Sequence, residues 1–151
     1  MVPFPHRYEA SAAAAPEGQV TLTSGSLVPL TTASPAEFGG PGDRWSPETL
    51  LVGAVADCFV LTFRAVARAS NLSWTSLACE AEGTLDRIER ATQFTNFTVR
   101  ARLVVPEGTD TALAERLLHK AETACLITNS LKASSHLEAS VEIDSAVPAV
   151  V

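Results

Sequence analysis

Ser46-Pro-Glu-Thr-Leu-Leu-Val-Gly-Ala-Val-Ala-Asp-Cys-Phe-Val-Leu-Thr-Phe63 is the stretch on which the fold turns. It begins as a helix should. A serine hydroxyl can cap free amide protons, a proline has φ already set for the first helical position, and Glu48 faces the positive end of the helix dipole. From position 50 to 63 only Gly53, Asp57 and Thr62 interrupt an apolar run. A helix that is apolar almost all round is either buried or crosses a membrane. Fourteen residues rise about 21 Å, short of the roughly 30 Å of a bilayer core, and Asp57 falls inside the run. The reading is therefore a buried helix. Asp57, Arg64 and Arg68 fall on one narrow stripe of it. One sheet can cover only one side of such a helix, so the other side requires a second copy of the chain.

Composition points the same way. The chain has 151 residues, read as one domain with its core over 7–144 and a tail over 145–151. Hydrophobic residues make up 46% and charged residues 19%, against a usual charged share of about 25%. That excludes a disordered chain and a nucleic-acid module with a dense cationic face. A small domain has much surface for its volume and needs more charge than average, so the shortfall suggests a surface covered by another subunit. The net charge of -6 argues against polyanionic partners. Three cysteines do not make a disulfide scaffold. Met1-Val-Pro-Phe-Pro-His-Arg7 does not read as a basic and then apolar leader. The expectation is a cytoplasmic protein with no nucleic-acid and no membrane partner.

The order of elements implies an α+β class. Residues 7–12, 19–23 and 26–31 read as short strands between turns of Gly, Pro and Ser, followed by a loop to Trp45. In 75–88, Leu77, Cys79, Ala81 and Leu85 alternate with Glu80, Glu82, Thr84 and Asp86. In 94–105, Phe97, Val99, Ala101 and Leu103 alternate with Thr98, Arg100 and Arg102. Joined by Glu89-Arg90-Ala91, these make an antiparallel hairpin whose acidic and basic outer faces can pair. A second helix is expected over 111–124, with Leu113, Leu117, Leu118 and Ala121 on its core face. A third follows over 125–133, and a last strand over 137–143.

Among residues that could carry chemistry, Cys79 reads as a small hydrophobe on the inward face of a strand. Cys58 sits within the apolar helix beside Asp57. Cys125 falls where the second helix gives way to the third, so amides at that helix start could lower its pKa. No CxxC and no Cys/His cluster with zinc spacing occurs, so no metal and no cofactor is expected. His6, His119 and His136 are isolated.

The stretch from Ser46 to Phe59, taken with Ala124-Cys125-Leu-Ile-Thr-Asn-Ser-Leu131, resembles the OsmC/Ohr family, the osmotically inducible protein C and organic hydroperoxide resistance proteins. The likeness runs over about residues 7–144 and includes the order of elements. It implies an intertwined homodimer, with antiparallel sheets wrapped around long central helices and a site at each end of the interface. It further implies a thiol peroxidase that reduces organic hydroperoxides and is recycled by a dithiol reductant. By similarity, Cys58 matches the peroxidatic cysteine, Cys125 the resolving cysteine, and Glu48 a helix-start glutamate of the site.

Glu48 and Cys58 are ten residues apart, about 15 Å of helical rise. A site holding both therefore needs a chain reversal or the partner's helix. Two departures from the family pattern stand out. The early turn that carries an arginine in typical members reads Ala15-Pro16-Glu17-Gly18, and Leu126 replaces the proline that commonly follows the second cysteine. Arg7 and Arg44 are the candidate replacements, Arg44 being better placed four residues before Glu48. Both departures suggest a divergent OsmC-like member. They leave open a non-catalytic binding protein that uses the apolar interface pocket for a small ligand.

Overall fold

The computed structural model describes residues 1–145, so the expected tail lies outside the described residues except for Ser145. The chain falls into two compact units, Met1–Leu51 and the residues from Val52 onward, with the boundary inside the first helix.

In the first unit, β1 (Ser11–Ala13), β2 (Val20–Thr23) and β3 (Leu30–Thr32) form an antiparallel sheet in that order. The first and third strands are shorter than the alternation predicts, because only these residues find a partner across β2. The loop after β3 contains a single 3-10 turn, Ala36–Phe38. It is drawn closed by a bridge between Thr32 and Trp45, where Ala33 N–H donates to the Trp45 carbonyl at 3.0 Å. Many apolar side chains here are exposed, among them Phe4, Tyr8, Leu27, Val28, Phe38 and Trp45.

The helix α1 (Pro47–Ala69) starts where the sequence placed it. Ser46 Oγ accepts from the Thr49 N–H at 3.1 Å, and Thr49 Oγ1 accepts from the Ser46 N–H at 2.8 Å. Each end of this exchange satisfies an amide that the helix itself cannot. The helix is longer than the apolar run implied. Its 23 residues rise about 34 Å, long and apolar enough to cross a membrane by length and composition, so length no longer separates the two readings. What the helix does within its own chain is bury a single stripe: Val55, Phe59, Phe63 and Ala67. Only 22% of its most apolar stretch is buried, so the expectation of a buried helix is met by this chain on one side alone. Asn71, at φ 54°, ends it in the left-handed conformation.

The second unit is built on β4 (Ser76–Ile88), β5 (Ala91–Pro106) and β6 (Ser134–Asp144), in that spatial order. β4 and β5 form the expected hairpin, closed by Glu89 and Arg90, both with positive φ. That pair matches the twist of the flanking strands. A bulge at Thr95 of β5, opposite Thr84 and Leu85, shifts the register, and Leu85, expected on the inner face, is exposed near the end of the hairpin. β6 pairs parallel to β5, after a crossover through α2 (Thr111–Ala124) and α3 (Leu126–Asn129). Asp110 accepts from the Leu113 N–H at 3.0 Å and caps α2, which buries Ala114, Leu117, Leu118 and Ala121. Leu113 is only half-buried and Ala114 takes its expected core place. On the sheet's outer face, Arg100 bridges Glu82 at 3.4 Å and Glu138 at 3.1 Å, joining all three strands.

Gly83 is fixed by packing. A Cβ there would lie 2.8 Å from Phe97 Cε1 and 2.9 Å from Phe94 Cε1, two rings stacked at 5.1 Å between centroids. Neither ring can move without disturbing the other. Gly83→Ala is expected to cost about 1–3 kcal/mol, read as a lower urea midpoint with an unchanged slope.

Candidate active site

Helical geometry sets the surroundings of Cys58. It lies between Val55 and Phe59 of the buried stripe, but a rotation of 100° per residue turns it away from their direction, leaving it half-buried. Thr62, one turn on, donates through Oγ1 to the Cys58 carbonyl at 2.7 Å, and the same oxygen lies 3.8 Å from Cys58 Sγ. Asp57, its neighbour, is exposed.

Cys125 is held differently. It is the single extended residue (φ −64°, ψ 108°) between α2 and α3, and it is 2% exposed. Its N–H donates to the Glu122 carbonyl at 3.3 Å, and its own carbonyl accepts from Asn129 N–H at 3.0 Å and Thr128 Oγ1 at 3.1 Å. The expected third helix over 125–133 is a single turn, and the Cys125 side chain makes no capping hydrogen bond to it. The turn is too short to align many peptide dipoles toward Cys125. Cys125 instead lines a narrow cleft with Val55, Phe59, Val99, Glu122, Thr128 and Ser135.

All three cysteines are free thiols. Cys58 does not line the Cys125 cleft, but Val55 and Phe59, which flank it on the same stretch of helix, do. Cys79, on the inner face of β4, is pushed up to about 11, first by burial and then by the neighbouring Cys125 and Glu80. It is a thiol at neutral pH and a poor nucleophile, in keeping with a packing role.

Glu48 is the second residue of α1, ten positions from Cys58 on one continuous helix. Its Oε2 is buried and makes no hydrogen bond. Arg44 is engaged elsewhere: with the Gln19 amide turned so that its oxygen faces the guanidinium, that oxygen accepts from Nε at 3.2 Å and Nη2 at 3.0 Å. Thr62, Glu122, Thr128 and Ser135 were not singled out by the sequence. Thr62 and Glu122 were within reach of helical spacing, at i+4 from Cys58 and i−3 from Cys125. Ser135 was not, since the parallel register of β6 places it. Among the described residues, no cluster of three or more His, Cys, Asp or Glu side chains is placed to hold a metal ion.

The α+β architecture is one that other proteins share. A model of the OsmC-like protein family matches residues 40–140, and the chain belongs to that family. It is 31% identical over 128 residues to the uncharacterized protein YmaD of Bacillus subtilis, spanning 82% of this chain and 85% of YmaD. It is 25% identical over 122 residues to the peroxiredoxin OsmC of Escherichia coli, spanning 81% and 84%. An OsmC-like protein of unknown function from Vibrio cholerae superposes with a TM-score of 0.81 at 18% identity, over 90% of this chain and all of that one, and shows the shared fold.

The Cys79 shift sets a pH dependence. Its folded-state value lies above its ordinary 9.0, so its contribution to stability is intact below pH 9 and is lost as pH rises toward 11. Urea unfolding of the wild type and of Cys79→Ala should therefore show a difference in stability that changes in the variant's favour over that window. A constant difference would contradict the burial described.

Proposed function

We propose that the protein is a thiol-dependent peroxidase that reduces organic hydroperoxides, and hydrogen peroxide by the same chemistry. Its family supports a peroxide-related redox role. The observation that carries the finer reading is the contrast between two thiols on one stretch of α1. Cys58 is half-buried on the apolar side of α1, where an apolar pocket at the interface of two copies would take a bulky peroxide. Cys125 is buried against Val55 and Phe59 of the same stretch, set back from first attack and at hand as the second thiol.

The steps balance as follows. The Cys58 thiolate attacks the O–O bond, takes one oxygen as a sulfenic acid and releases the alcohol once that oxygen is protonated. The Cys125 sulfur then displaces water to form the Cys58–Cys125 disulfide. A small dithiol returns two electrons and becomes a disulfide itself.

The proposal includes a homodimer. Leaving α1 with most of its apolar surface in water is unfavourable at about 25 cal/mol per Å², and a second copy of the same helix is the complementary surface. It also offers a setting for Glu48. The buried, unpartnered Oε2 and the roughly 15 Å of helical rise to Cys58 both suit a carboxylate that acts on the partner's thiol. A cytoplasmic location fits three free cysteines in a reducing compartment.

One observation favours the second reading, a non-catalytic binding protein. Arg44, the better-placed substitute for the missing arginine, is engaged by Gln19. The two readings separate on cumene hydroperoxide consumption with excess dithiothreitol. Cys58→Ser is expected to lose at least 100-fold in rate, and Cys125→Ser to leave a sulfenic acid on Cys58 that dimedone traps. Equal rates for wild type and Cys58→Ser would leave the binding protein as the answer. The dimer is tested by mass in solution: the exposed Leu61, replaced by Glu, should shift the wild-type dimer toward monomer.

A further inference from the structure

The Cys125 cleft has a second side. Away from α1, Glu122, Thr128 and Ser135 line both the cleft and a wider opening of about 530 Å³, which Thr123, Asn129 and Leu131 help to form. The three shared residues form the wall between the opening and the cleft that holds the buried sulfur. Ser135 Oγ is buried and has no hydrogen-bond partner, a polar atom unoccupied at the wall of the cleft. Thr128 is fixed by its bond to the Cys125 carbonyl at 3.1 Å. Glu122 is the charged residue among those lining the opening. Its side chain is 22% exposed, and its Oε2 lies 4.0 Å from His119 Nδ1. The cleft itself is too narrow to admit water, so a reagent reaches the sulfur only when the wall between cleft and opening parts. None of these residues is on α1 or in the first unit.

We propose that this polar opening is an access route to Cys125 for a small neutral or cationic thiol, and that Glu122 selects against anionic ones. The route is separate from the apolar side of α1 on which Cys58 lies. Resting on the peroxidase reading, it gives the two substrates separate entrances: the peroxide meets Cys58, and the reductant meets Cys125. The reductant thiolate attacks Cys125 Sγ of the Cys58–Cys125 disulfide, forming a mixed disulfide and expelling Cys58 as thiolate. Its second thiol, deprotonated, closes on the first sulfur and frees Cys125, so two electrons pass from the dithiol to the protein. At the mouth of this route a carboxylate repels an anionic reagent and attracts a cationic one, and poor solvent screening in the cleft strengthens both effects.

The test needs no peroxide turnover. In Cys58→Ser/Cys79→Ser protein, whose remaining thiol is Cys125, labelling by methanethiosulfonate reagents of charge +1, 0 and −1 is followed by intact mass. Each rate is normalised to a free thiol. Cys125 should label in the native state, with the cationic reagent about fivefold faster than the anionic one. Glu122→Gln should bring the two within a factor of two, and Glu122→Lys should reverse the order. No labelling of native Cys125, or a charge order unchanged by Glu122→Gln, would overturn the proposal. The charge order together with no hydroperoxide consumption by the wild type would uphold the route and remove the peroxidase reading, so the two failures are distinguishable.

Discussion

The structure depends on one constraint: α1 is apolar on nearly every side, while its own chain can bury only a stripe of it. That stripe, Val55, Phe59, Phe63 and Ala67, fixes the helix in its unit. Phe63 is met edge-on by Trp74 at 5.5 Å between centroids, and Val55 and Phe59 form a wall of the Cys125 cleft. Off the stripe no residue of α1 is fully covered by its own chain: Cys58 is half-buried and Leu61 is exposed. The thiol proposed to do the chemistry is therefore on the part of the helix that the fold leaves unfinished. Its proposed helper is on the part that the fold completes.

The sequence made the helices and the hairpin legible because each announces itself locally. Ser46-Pro47-Glu48 marks the start of α1 through groups that are neighbours in the chain, and the period-2 alternation of 75–88 and 94–105 reports a half-buried sheet directly. Failures came where the deciding contact was distant or subtle. The bulge at Thr95, opposite Thr84 and Leu85, breaks the alternation of β5, and no residue type there signals it. The single-turn length of α3 is set by how soon the chain must enter β6, and the parallel register of β6 depends on a pairing 38 residues back, Arg100 with Glu138. The apolar run over 50–63 understates α1, which continues to Ala69 with Arg64 and Arg68 on its exposed side, on the stripe that their spacing from Asp57 marks.

The candidate site was legible in its two cysteines and in Glu48 and opaque in what surrounds them. The resemblance to the OsmC/Ohr family relates Cys58 and Cys125 as a pair. It does not reveal that Cys125 is extended backbone capping two helices at once, nor that Glu122 and Ser135 share its cleft. Both facts arise from the crossover that joins β5 to β6. In this respect the resemblance to the OsmC/Ohr family carried more than physical reading of the residues could. Arg44 marks the limit of such transfer: its guanidinium is placed by Gln19, a contact that family likeness does not foretell.

The turn between β4 and β5 carries a consequence of its own. Glu89 and Arg90 hold φ of 49° and 71°, a conformation that side chains with a Cβ adopt at a cost of about 1 kcal/mol each. The cost persists because thirteen strand pairs beyond the turn over-determine it. The hairpin thus holds a store of conformational strain at its tip, remote in sequence from all three cysteines. Evolution can spend or recover that reserve of stability there without touching the residues proposed to handle peroxide.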